Sequence, residues 1–313
     1  MYKKVMALGM AMVMAAALPV SVLAKDTADG KLAKVAFICK GYSDNFCLKV
    51  QQEMEKSAVD YEDEFKVDYF DAETDAEKEV NLIQTCTDSG YDVIIFQETD
   101  AESSVSVVKE AVEKGIHVIV TTGQINDDGE SHYINADPYQ QGEVLVNYAI
   151  DEGYCDDAQI AILRGVGGNF HAESRYSAFT DALDKKEDAE VVAAEIANWT
   201  KNEAMTITQN WMVTYPDLDV IFASCDDMAF GAYEAVQMAG KEEQVKIFAI
   251  DGTDEGVQAV KDGIFLAEVQ QNAKSYADDA LEMASALLKG EEVENMNLES
   301  ELITPENVDD FLK

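Results

Sequence analysis

Short runs of β-branched and aromatic residues alternate with helical stretches along nearly the whole chain, and this alternation constrains the fold most. Ala33–Cys39 is the first such run, closing just before Gly41. A helical pattern follows, with Phe46, Val50, Met54 and Ala58 on one face. Strands are predicted again at 65–70, 93–96 and 117–120, with helices at 76–89 and 104–113 that stop at Gly90 and Gly115. Strands so continuously apolar are buried on both faces, which means a parallel sheet with helices on each side. The rhythm then restarts. A short strand at 133–135 leads to a helix at 139–151, and strands at 160–163, 191–196, 220–223, 245–250 and 265–269 alternate with helices to residue 288.

The length of 313 residues suits two domains, and the restart places their boundary near 135–138. The predicted fold class is α/β, with two doubly wound, Rossmann-like parallel-sheet lobes. In such sheets ligands sit at the carboxyl ends of the strands. The loops there, 40–46, 97–100, 121–123, 165–175, 197–200, 224–227, 251–253 and 270–272, are where Asp, Asn, Gln, Arg and aromatic residues gather.

The N-terminus reads as a signal peptide over residues 1–24. Lys3 and Lys4 precede an apolar run over 5–22, and Val22-Leu23-Ala24 makes a cleavage site. A membrane-spanning helix is the rival reading, disfavoured by Pro19 and by the small-residue ending. No Cys follows the run closely, so no lipobox is present, and the expected location is extracytoplasmic, either periplasmic or secreted. The formal net charge is −39, and cleavage would remove two of the 23 Lys and Arg. A surface this acidic repels polyanions, so nucleic acid is not an expected partner.

Chemistry-bearing motifs are few. Gly165-Val166-Gly167-Gly168 follows a strand but lacks the spacing of a dinucleotide loop. His117, His132 and His171 are too dispersed for a metal cluster, and no Ser/His/Asp set stands in a recognisable context. No catalysis, cofactor or metal is therefore expected. Cys39, Cys47, Cys86, Cys155 and Cys225 form no metal spacing; scattered buried or free thiols are the simplest account, and a Cys39–Cys86 or Cys47–Cys225 bridge stays open.

Trp199 follows a strand in a turn, where a large aromatic has no core role, and Phe46 sits in the loop after the first strand. Aromatic faces combined with planar polar groups such as Asp44, Arg175, Asp251 and Gln271 are the chemistry of a carbohydrate site. Singly, Asp44 also reads as a helix cap, Asp251 as a turn residue and Arg175 as a surface ion pair.

Over essentially the whole mature chain the sequence resembles the periplasmic sugar-binding proteins of the ribose and glucose/galactose-binding class. The segments that carry the resemblance are Tyr42-Ser43-Asp44-Asn45-Phe46, Ala172-Glu173-Ser174-Arg175, Trp199, residues 223–232 (ASCDDMAFGA), Ile250-Asp251-Gly252-Thr253 and residues 303–308 (ITPENV). The resemblance implies a type I periplasmic binding protein fold, with lobes at 25–135 plus 272–300 and at 136–271 plus 301–313. Three crossovers near Asn135, Gln271 and Ser300 would form the hinge. It further implies that Phe46 and Trp199 sandwich a sugar ring. Asp44, with Gln97 nearby, and Asp251 would accept from its hydroxyls; Arg175 would donate; Asn169 and His171 would supply further polar contacts; Gln271 would bond at a hinge crossing. Cys225 stands where the family usually has Asn, Thr122-Gly123 replaces a charged pair of ribose binders, and a calcium loop is absent from 151–160. The expected ligand is a monosaccharide, a hexose of the glucose or galactose kind. A monomer would deliver it to the permease of an ABC transporter or, alternatively, present its closed form to a chemoreceptor or sensor kinase. A sugar-responsive repressor of similar fold would need an N-terminal DNA-binding segment, where this chain has the apolar run.

Overall fold

The computed structural model describes residues 31–312; the signal peptide expected at 1–24 lies outside them. Two α/β units follow one another. The first holds β1 (Ala33–Cys39), α1 (Asn45–Ser57), β2 (Phe65–Asp71), α2 (Ala76–Asp88), β3 (Val93–Gln97), α3 (Val105–Glu113), β4 (His117–Thr121) and β5 (His132–Ala136). The second holds α4 (Pro138–Asp151), β6 (Gln159–Arg164), α5 (Phe170–Leu183), β7 (Glu190–Ile196), α6 (Lys201–Thr214), β8 (Leu218–Ala223), α7 (Asp226–Met238), β9 (Lys246–Asp251), α8 (Asp254–Lys261) and β10 (Ala267–Gln270). The chain closes with α9 (Ala273–Leu288), β11 (Met296–Leu298) and β12 (Glu301–Ile303).

Each unit is a six-stranded sheet, ordered β11-β5-β4-β3-β1-β2 and β12-β10-β9-β8-β6-β7. All pairings are parallel except β10 with β12. This is the doubly wound, two-lobed architecture of a type I periplasmic binding protein. The apolar runs form the central strands because their residues meet helices on both faces: α1 and α9 cover one side of the first sheet, α2 and α3 the other. In the second sheet α6, α7 and α8 lie opposite α4 and α5. The chain passes between sheets three times, after β5, after β10 and between β11 and β12. Helix α9 therefore packs on the first sheet although it follows the second in sequence.

Every described α-helix except α3 begins at a side-chain cap: Asp44, Asp75, Asp137, Asn169, Thr200, Cys225, Thr253 and Asn272. Helices here start just past strand ends, so much of the polar crowding in those loops is helix capping. Two expectations need correction. Phe46 lies in the first turn of α1 rather than in a loop. The strand expected at 265–269 begins at Ala267, because Phe265 turns into the core beside α7 and α8. For the cysteines the simplest account holds: all five are free and buried, and neither bridge left open is formed, Cys39 and Cys86 lying on opposite faces of the first sheet. Among the described residues no helix is long and apolar enough to cross a membrane.

Candidate functional site

The order of each sheet reverses at its first strand, β1 in one and β6 in the other, so the loops after β1 and β3, and after β6 and β8, diverge there. These two openings face each other. Between them lies a cavity of about 340 Å3, lined by Lys40, Asp44, Phe46, Cys47 and Thr122 from the first lobe. Asn169, His171, Arg175, Trp199, Cys225 and Asp251 line it from the second, with Gln271 at the crossover.

Trp199 is placed by its backbone. Asn198 and Trp199 both adopt left-handed φ values, 50° and 61°, unusual for a residue this bulky and a mark of a functional turn. The turn lays the indole on Gly165, where a Cβ would come within 2.1 Å of the ring. Gly165 is thus the seat of an indole, not part of a phosphate loop. The indole Nε1–H is buried without a partner, leaving one donor for a ligand.

Arg175 is buried and almost fully committed. Its Nε and one terminal nitrogen donate to Gln141 Oε1 at 3.1 and 2.7 Å. The same terminal nitrogen reaches His171 Nδ1 at 3.1 Å, and the other donates to the Ser224 carbonyl at 2.7 Å. Of the five guanidinium N–H groups one is left, on the nitrogen 4.0 Å from Asp251 Oδ1. His171 then has no free nitrogen: Nδ1 accepts from Arg175 and Nε2–H donates to Asn135 Oδ1 at 2.6 Å. Burial and the adjacent guanidinium push its pKa well below the usual imidazole value, so the ring is neutral. Asp251 accepts from Gln271 Nε2 at 2.8 Å and from the Asp226 backbone N–H at 3.3 Å.

Beneath Asp251 lies an acidic group that sequence reading missed. Asp226 and Glu268 are buried, and both Glu268 oxygens and Asp226 Oδ1 have no donor. Burial and mutual repulsion raise all three carboxyls, Asp226 to about 6 and Asp251 and Glu268 well above the usual range. One cation, Arg175, faces this group, and it faces Asp251; the retained proton belongs on Glu268, where it satisfies an otherwise orphaned oxygen.

On the first-lobe side Lys40 and Asp44 form a 2.8 Å ion pair, while the second function of Asp44 is to accept from Cys47 N at 2.9 Å as the cap of α1. Burial opposes its ionisation, but the ammonium and the cap bond bring its carboxyl below the usual range. Lys40 Nζ also stands 5.0 Å from the Trp199 ring of the other lobe, a cation–π distance. Phe46 meets Tyr276 edge-on at 6.0 Å.

Nine of the ten residues singled out from sequence line the cavity. Gln97 does not: it is buried behind the wall, accepting from Lys40 N at 3.1 Å. Asn169 lines the cavity with its donors spent on the first lobe, on Glu98 Oε1 at 2.9 Å and the Thr99 carbonyl at 3.3 Å. Lys40 was missed, as were Gln141 and Asn135, which hold Arg175 and His171. Position in the 40–46 loop was the available signal for Lys40; Gln141 sits in the first turn of α4 and gave none.

A family model described as "Periplasmic binding protein domain" matches residues 35–292. The chain belongs to this family. Over 292 residues it is 27% identical to the ribose import binding protein of Salmonella typhimurium, covering 93% of this chain and 95% of that one. The structure of an ABC transporter solute binding protein from Bacillus halodurans with bound myo-inositol is similar at a TM-score of 0.86 and 25% identity, over 90% of this chain and 98% of the other. The Caulobacter myo-inositol binding protein bound to myo-inositol gives 0.85 and 26%, over 90% and 96%. The fold and family of this periplasmic binding protein are those of extracytoplasmic, non-catalytic binding proteins.

Proposed function

We propose that this periplasmic binding protein captures a neutral polyhydroxylated ring, a monosaccharide or cyclic polyol, between its lobes and hands it to an ABC permease. A hexose of the glucose or galactose kind is placed first. The observation that carries the reading is one cavity with Phe46 on one lobe and Trp199 on the other, whose charges pair off as Lys40–Asp44 and Arg175–Asp251. Aromatic faces suit the apolar faces of a ring, and paired charges leave none over for an ionic ligand. Relatives named for ribose import and bound to myo-inositol support this ligand class.

The ligand contacts we assign are Phe46 and Trp199 as faces, the last Arg175 N–H and the indole N–H as donors, and Asp44, Asp251 and Gln271 as polar partners. Cys225 caps α7 through its sulfur and contributes shape to the wall. The moving bodies proposed are 25–135 with 272–300 and 136–271 with 301–313. Both walls touch ligand only when closed, so ligand selects the closed form.

A thermal-shift and calorimetric panel of D-glucose, D-galactose, D-ribose, myo-inositol and the anionic D-glucuronate tests this, because a ligand of the native state raises its stability by mass action. A response confined to anionic sugars, or none at all, overturns the reading. Trp199→Ala is expected to weaken the best ligand roughly 30-fold or more. Unchanged affinity removes Trp199 from the site.

A further inference from the structure

We propose that Glu98 is a latch that sets affinity for every ligand from outside the cavity, by holding the lobes closed. The inference rests on the reading that ligand is captured between the lobes. Glu98 follows β3 in the first lobe and does not line the cavity. Its Oε1 receives Asn169 Nδ2 at 2.9 Å and the Phe170 backbone N–H at 3.3 Å, both from the start of α5 in the second lobe. Beside it Asn169 Nδ2 also reaches the Thr99 carbonyl, and Ala101 N donates to the Gly168 carbonyl at 3.4 Å. The first N–H groups of a helix have no partner within it and attract an acceptor.

Two features make this contact a latch rather than an incidental touch. Asn169 is fixed by its own helix, since its Oδ1 caps Ala172 N at 3.0 Å. Glu98 is fixed by its own lobe: a Cβ on Gly123 would lie 2.4 Å from Glu98 Cγ, so the side chain occupies the space that glycine leaves. Donor and acceptor are each held in place before the lobes meet. Of the other cross-lobe bonds, Asn45 Nδ2 to Asp227 Oδ1 at 2.7 Å and Lys49 to Asp254 at 2.9 Å are exposed to solvent, while His171 Nε2 to Asn135 Oδ1 at 2.6 Å is buried but lies at the crossover after β5. Glu98 and Asn169 are 1% and 2% exposed, so away from the crossovers their bond is more sheltered from water than the rim contacts.

A latch changes the population of the closed form, and apparent affinity scales with that population. Glu98→Ala should weaken D-galactose, D-ribose and myo-inositol by one common factor, about tenfold, leaving their rank order intact. Glu98→Gln keeps an oxygen for both donors and should bind within about twofold of wild type. Asn169→Asp retains the helix cap but loses the donor; combined with Glu98→Ala it should weaken binding no further than the weaker single variant. Small-angle scattering of the ligand-free full chain should show the Glu98→Ala protein more open than wild type. If wild type binds none of the three probes, the functional reading falls, and scattering alone then decides the latch. Identical scattering profiles overturn it, and so does a loss confined to one probe, which would mark Glu98 as a ligand contact.

Discussion

On the second-lobe wall of the cleft, Arg175 is tied to Gln141, Ser224 and His171, and Asp251 to Gln271 and Asp226. On the first-lobe wall the comparable wiring is a single ion pair, Lys40–Asp44, resting on the start of α1. The bonds of the second wall to Gln141, Ser224 and Asp226 lie within its own lobe and do not depend on closure. That lobe presents a preset surface, and the first lobe supplies an aromatic and an ion pair that complete it. Preorganisation concentrates binding energy where groups need not be ordered on arrival.

Arg175→Ala is the strongest way to break this contrast. It would strip donors from Gln141 Oε1, the Ser224 carbonyl and His171 Nδ1, and leave Asp251 beside Asp226 and Glu268 with no cation. Removing one partner from a buried charged network costs about 3–5 kcal/mol. Denaturant melts should show that loss together with loss of detectable ligand binding. Lost binding with unchanged stability would mean that the guanidinium serves only the ligand, and that the second wall is no better preset than the first.

The same contrast explains what could be read from sequence. Strand-helix alternation gave both sheets, because continuous apolar strands have few other ways to be buried. Trp199 stood out because a turn was expected to offer an indole no core role, although its ring in fact also packs on the second-lobe core, and Arg175 because cations are scarce in this chain. Asp44 is both things weighed for it, a helix cap and a cleft carboxylate. Lys40 was passed over despite its loop position because lysine at a strand end normally points to water; its pairing with Asp44 and its place over the Trp199 ring explain its burial. Gln97, Asn169 and His171 carry the right chemistry at the right strand ends. Which of their hydrogen-bonding groups are already spent depends on partners up to 71 residues away, such as Glu98 for Asn169. β11 and β12 are edge strands of three residues each, too short to show an alternation, and leave almost no pattern.

The buried carboxyls extend the comparison to pH. In the first lobe Glu79 is satisfied, accepting from Thr99 N at 2.7 Å and from the Ser104 hydroxyl, yet burial lifts its pKa to about 7. The folded protein therefore keeps this proton between pH 4.5 and about 7 while the unfolded chain releases it. Its contribution to stability is full below that window, falls as pH rises through it, and is flat above. The change is about 3 kcal/mol as an upper figure. Glu79→Gln cannot titrate, so the stability gap between variant and wild type should shift across this window and nowhere else. Parallel melting curves from pH 4 to 8 would show that Glu79 ionises as freely as an exposed glutamate.

The smallest effect is expected at the rim. Lys49 of the first lobe meets Asp254 of the second at 2.9 Å, but the Asp254 side chain is 66% exposed. Exposed ion pairs contribute roughly 0.2–1 kcal/mol and are screened by salt. Lys49→Ala should therefore change ligand affinity by less than about threefold, and the difference should vanish in about 1 M salt, where the screening length is near 3 Å. The pair spans the same two lobes as Glu98 and Asn169, so geometry alone gives it the same opportunity to hold them closed. Its expected weakness comes only from water and ions competing for both partners. An effect as large as that of Glu98→Ala, persisting in high salt, would show that burial is not what distinguishes the contacts that close the cleft from those that merely border it.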